Sequence, residues 1–286
     1  MAIDLDELFY TNYPADFHIY LVTILNNILD NDHLMPVLLK GVEGINEKAV
    51  KKSLKIQLRA MYYQSIETLF ELIFALERIL NSNVQRSGLW YNLSKSPYRE
   101  NFKRISKKEF AFLDRNYTIE DVQKNELTVS LAHYIFFFNF KLDPKVIESI
   151  KAIKLALKIF ARDFSDRDEY NAFKHSIRVF PTLKSVRLTP KQESPSKDIL
   201  EMKDSISYLK MKDKNSKKVT LISKSLDVIR DYNLALLSSR MISNIICTRR
   251  SVKFNRPEFI YFFDCKEIES LAIPSDNLST IQLNFE

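Results

Sequence analysis

Glycine is almost missing from this chain: Gly41, Gly44 and Gly88 are the only three in 286 residues. Loops that cradle phosphates need closely spaced glycines so that backbone amides can approach the ligand, and this scarcity excludes Walker and Rossmann nucleotide sites. Cysteine is scarcer still. Cys247 and Cys265 each adjoin an apolar run and form no C-x-x-C pair, which reads as reduced thiols in a cytoplasmic protein. Neither a zincin H-E-x-x-H nor a G-x-S-x-G nucleophile motif occurs, so no metal and no cofactor is expected. The opening "MAIDLDELFY" carries acids where a secretory signal needs cations. The most apolar run, 128–140, is interrupted by His133 and falls short of the roughly 20 residues a membrane span requires, so no membrane contact is expected.

What the chain does have is apolar bulk and positive charge. Hydrophobic residues make up 45% of it, enough for a real core, and the formal net charge is +7, which favours contact with polyanions over long range. Apolar residues recur at helical spacing over 14–30, over the long stretch 46–82, and over 144–164, where Asp143 is placed to cap and Pro144 takes the first turn. Thr118 and Asp121 resemble a capping box at the start of a further helix reaching toward Phe140. Ser165 is placed to cap another over 166–180, closed by Pro181. Beyond it, 181–204 is polar and proline-bearing, as in a linker. Two β-prone runs around "KDKNS" predict a hairpin over 205–223, Ser225 opens an apolar helix, and "EFIYFFDC" predicts a strand before a polar tail.

The fold expected is mainly α: an antiparallel helical bundle with a small β-hairpin and a C-terminal extended segment. A helical domain would take 1–180, a linker 181–204, and the hairpin, helix and tail of 205–286 would pack back onto the first part.

Two stretches carry chemistry. In "RDEYNAFKHSIRVFP", 167–181, helical spacing puts Tyr170, Phe173, Ile177 and Phe180 within an arc of about 80° as an apolar face. Arg167, Asn171, Lys174, His175 and Arg178 occupy the neighbouring arc of about 100°. A histidine among guanidinium groups can move protons at a ribose hydroxyl while the cations stabilise charge on phosphorus oxygens, without a metal. The bland alternative is a solvated face whose cation stems cover an apolar seam. On the long helix, Glu67 and Glu71 share a stripe with Gln64 and Arg78, and would orient His175, Lys174 or Arg178 if the two helices pack. The second stretch, 88–108, interleaves Trp90, Tyr91, Tyr98 and Phe102 with Lys95, Arg99, Lys103, Arg104 and Lys107, a pattern suited to stacking bases and holding phosphates. The bland alternative is a surface connection anchored by its aromatics.

With its helical pattern and the "YNAFKH" grouping about His175, residues 45–180 resemble the HEPN superfamily of helical domains, found in prokaryotic toxin, defence and RNA-processing proteins. In active members an arginine precedes the histidine at short spacing, and two motifs meet across a homodimer to form a metal-independent ribonuclease site. Arg167 stands one residue outside that spacing, and Asp168, Glu169 and Tyr170 occupy the family positions. The resemblance implies RNA binding, with His175 as acid or base, Arg167 and Arg178 on phosphate, and Asn171 and Lys174 orienting the substrate. The rival expectation is a non-catalytic interaction protein, a partner subunit or antitoxin-like chain whose partner is another protein.

Overall fold

A computed structural model describes residues 4–41, 43–44, 46–81, 88–120, 125–165, 167–174, 179–181, 185–187, 199–201, 204–211, 219–274 and 280–285. The helices are α1 (Leu5–Asn12), α2 (Phe17–Asp30), α3 (Leu34–Leu38), α4 (Glu47–Asn81), α5 (Leu89–Ser94), α6 (Tyr98–Lys107), α7 (Leu131–Phe137), α8 (Pro144–Phe164), α9 (Arg167–Lys174), α10 (Val228–Phe254) and α11 (Cys265–Ala272). The strands are β1 (Asn116–Glu120), β2 (Glu126–Ser130), β3 (Val179–Pro181), β4 (Ser185–Arg187), β5 (Ile199–Glu201), β6 (Ser205–Met211), β7 (Val219–Ser225) and β8 (Thr280–Phe285). The fold is mainly α with a β-hairpin, as the periodicities predict. The long uninterrupted pattern from 46 gives α4, and the Asp143 carboxylate accepts from the Val146 N–H at 2.9 Å to start α8.

The chain divides into two units, each assembled from separate stretches: residues 1–23, 62–165 and 233–273, and residues 24–61, 166–232 and 274–286. In the first, a core of large side chains forms where Phe70, Ile73 and Phe74 of α4, Ile135 and Phe136 of α7, Ile153, Leu157 and Phe160 of α8, and Ile242 and Ile245 of α10 are all buried. Each such side chain contributes about 1.5–3 kcal/mol of transfer free energy. Phe70 stacks on Phe110 with ring centroids 5.7 Å apart. Buried positions run around the whole circumference of α10, and several of its buried hydroxyls are paired. Ser238 Oγ meets Ser65 Oγ at 2.6 Å, and Thr248 Oγ1 donates to the Phe136 carbonyl at 3.0 Å.

In the second unit the expected hairpin, β6–β7, forms the middle of an antiparallel sheet of order β3-β6-β7-β8. Ile206, Tyr208 and Ile222 are buried from one side of the pleat, and Ser207 and Ser223, opposite each other in register, share a hydroxyl hydrogen bond of 2.6 Å on the other.

Four local expectations are corrected. The helix starting at Thr118 is instead the hairpin β1–β2 followed by α7, with Thr118 facing Thr128 across the ladder. The true cap is Ser130, whose Oγ accepts from the His133 N–H at 3.2 Å, and β-branched residues at 118, 119, 128 and 129 favour the pleat over a helix. Of the helix expected over 166–180, α9 is described to Lys174 and 175–178 lie outside the described residues, while 179–181 is strand β3 at the edge of the sheet, a position that tolerates proline. The segment 181–204, read as a linker, contains β4 and β5, which pair with Val186 opposite Leu200. "EFIYFFDC" forms no strand. Its backbone is held by side chains, with Asn244 accepting from the Tyr261 N–H at 2.8 Å and donating to its carbonyl at 2.7 Å. Ser149 Oγ likewise accepts from the Phe263 N–H at 2.9 Å. Asp264 then caps α11.

Candidate nucleic-acid interface

The segment 88–108 folds as two short helices of the first unit, and α6 sorts its residues by angle. Asn101 and Ile105 are buried, while Arg99, Lys103 and Lys107, at successive i, i+4 positions, are exposed. That spacing sets three cations within an arc of about 80°, with a rise of about 6 Å between neighbours. Among the described residues, no ion pair holds Arg99 or Lys103, and Lys107 meets only Glu109 at 3.9 Å. On α5, Trp90 and Tyr91 are 42% and 47% exposed, and Lys95 lies 6.0 Å from the Tyr91 ring centroid. Exposed rings on α5 and a row of exposed cations on α6 are the two ingredients of single-strand recognition.

Residues of α4 fix this segment. Glu71 accepts from Ser96 Oγ and, at 3.1 Å, from Asn101 Nδ2, while Arg78 Nη2 donates to the Asn92 carbonyl at 2.9 Å. The stripe expected to orient His175 therefore includes two side chains that hold the α5–α6 turn. Glu67 is half-buried on the same helix.

Arg104 differs from its neighbours. It donates to both oxygens of buried Glu77, at 2.6 and 3.0 Å, and its guanidinium lies 4.4 Å from the ring centroids of both Phe74 and Phe112. Its charge is spent on Glu77, so its expected place in a phosphate-binding set is corrected: it is a packing cation. Tyr98 is half-buried on the inward side of α6.

The other candidate stretch is described only in part. His175 and Arg178 lie outside the described residues, as do the side chains of Arg167 and Lys174; Asn171 is half-buried on α9. What α9 contributes visibly is an acid. Glu169, fully buried, accepts from Arg59 Nε and Nη2 at 3.0 Å each and from Lys224 Nζ at 2.8 Å. Arg59 Nη1 also donates to Asp231, whose second oxygen is buried without a partner. Burial alone would raise the Glu169 carboxyl, but the charges and hydrogen bonds of Arg59 and Lys224 outweigh it and hold it below the usual range. Asp231 has only part of one guanidinium, and burial pushes its carboxyl up to about 6. This cluster joins α4, α9, β7 and α10 within the second unit. Sequence reading missed it because Arg59 is separated from its two acids by 110 and 172 residues, and no local pattern marks such pairs.

Among the described residues no cluster of His, Cys, Asp and Glu is placed to hold a metal, and no helix is long and apolar enough to cross a membrane. His133 is buried, with Nε2 2.9 Å from the Phe140 carbonyl, and burial lowers its pKa. A cavity of about 180 Å³ is lined by Asn139, Phe140, Thr248, Ser251, Glu258 and Ile260. Its polar walls are already engaged: Asn139 donates to Ser251, and Glu258 takes bidentate hydrogen bonds of 2.8 Å from Arg250. Comparison with protein-family models, curated proteins and solved structures returned no match.

Proposed function

We propose that this protein binds single-stranded RNA through the α5–α6 face. The observation that carries the reading is the row Arg99, Lys103 and Lys107 on α6, exposed and without a buried acid, together with exposed Trp90 and Tyr91 on the preceding helix α5. The cation spacing along α6 suits successive phosphates of an extended strand, and the rings offer faces on which bases of any identity stack. The reading is binding, with no cleavage step: the chemistry it invokes is charge neutralisation and stacking, for which the described side chains suffice.

Trp90 is the only tryptophan in the chain, so emission excited to the red of the tyrosine absorption reports on this residue. Oligouridylate in EDTA is expected to quench that emission and to be recovered intact. With three cations on phosphate, log K should fall with log salt at a slope of about −2. Replacing Arg99 and Lys103 by glutamine removes two of them and should bring the slope to about −0.7. Binding with an unchanged slope in that variant, or no quenching by any oligonucleotide at low salt, refutes the reading.

A further inference from the structure

We propose that α1 is a strap over Trp90 that competes with nucleic acid for this end of the α5–α6 face, an inference that rests on the binding reading above. Asp6 Oδ1 accepts from the Trp90 backbone N–H at 3.3 Å, and the Phe9 ring lies 6.3 Å from the Trp90 ring at an interplanar angle of 31°. An acid and a ring are the two groups that a nucleotide would bring to the same residue. The first turn of α1 is acidic beyond this contact: Asp4 caps the helix and pairs with Lys253, and Glu7 is exposed, so α1 brings negative charge to α5.

Gly88 is built for this contact. A Cβ added there would stand 2.2 Å from Asp6 Oδ1, so the carboxylate occupies the space that any other residue would fill. The docking is also shallow. Of the eight residues of α1 only Tyr10 is buried, and Leu5 and Leu8 are each 45% exposed. Elements held by few buried contacts are those that open at low cost. A ligand needing Trp90 must pay for that opening, and its apparent affinity is reduced by the fraction of time the strap is closed.

Three variants test this with oligouridylate and Trp90 emission. Asp6→Asn weakens the carboxylate contact. Gly88→Ala evicts the carboxylate by steric overlap while leaving every charge in place. Glu7→Gln removes the same charge as Asp6→Asn but touches nothing on Trp90. The first two are expected to shift the ligand-free emission and to bind about fivefold tighter, as for a strap closed about four-fifths of the time, while Glu7→Gln stays within about twofold. Far-UV circular dichroism confirms that each variant is folded. Unchanged affinity in both Asp6→Asn and Gly88→Ala, with salt-dependent binding by the wild type, overturns the strap and leaves the binding reading standing. So does an equal gain in Glu7→Gln. Absence of wild-type binding removes both.

Discussion

Replacing Asp231 with asparagine should change how stability depends on pH, with a sign that the buried cluster dictates. The Asp231 side chain is 1% exposed, its Oδ1 shares Arg59 with Glu169, and its Oδ2 has no donor. A carboxyl raised from an ordinary 3.8 to about 6 is protonated in the folded protein between roughly pH 4 and pH 6, where the unfolded chain has released its proton. The folded state binds more protons across that window, so stability falls as pH rises through it. The fall is complete above pH 6 and amounts to about 3 kcal/mol. His18 acts in the opposite direction. Burial lowers its pKa from 6.5 to about 4, so the unfolded chain binds the extra proton and stability rises with pH over nearly the same range. The two slopes offset one another in the wild-type profile. The difference between wild type and Asp231→Asn isolates the carboxyl, because asparagine does not titrate and His18 is common to both. Urea unfolding followed by circular dichroism at pH 4, 5, 6 and 7 should show the wild type losing roughly 2–3 kcal/mol relative to the variant from the lowest pH to the highest. A difference independent of pH refutes the reasoning, as does a carboxyl resonance of Asp231 titrating at or below 3.8.

The packing role of Arg104 and the side-chain support of residues 261–263 give two more tests. Arg104→Ala leaves buried Glu77 without its bidentate partner and should cost about 3 kcal/mol in unfolding free energy; the salt slope of oligouridylate binding should not change, and a slope reduced as in the Arg99 and Lys103 variant would return Arg104 to the interface. Asn244→Ala strips the Tyr261 N–H and carbonyl of their partners and should cost about 2–4 kcal/mol in urea unfolding; a loss under 1 kcal/mol would show that water replaces the amide.

Where the sequence was legible, the controlling physics was local. Asp143 ahead of Pro144, and an apolar period unbroken by glycine or proline from 47 to 81, determine α8 and α4 almost by themselves. It was illegible where a distant partner decides. Val179 and Phe180 extend a helical pattern on paper, yet they pair with Tyr208 and Ser207 as a strand. Phe259 to Phe263 read as a strand, but Asn244 and Ser149 supply the bonds that a neighbouring strand would have given. Arg59 of α4 meets Glu169 of α9, a pair no local pattern marks, while the partners expected for Glu67 and Glu71, namely His175, Lys174 and Arg178, lie outside the described side chains.

The division of labour on α6 was partly written in the spacing. Taking Arg99 as origin, Lys103 and Lys107 fall at about 40° and 80°, whereas Arg104 falls at about 140°, next to Asn101 at about 200°. An arginine on the border of a buried face reaches inward as readily as outward, and what settles its direction is an acid on the facing helix. Glu77, 27 residues earlier, supplies it, with Phe74 one turn before to receive the guanidinium face. No comparable acid faces Arg99 or Lys103 among the described residues, so their charge stays in solvent, where an anionic strand would find it.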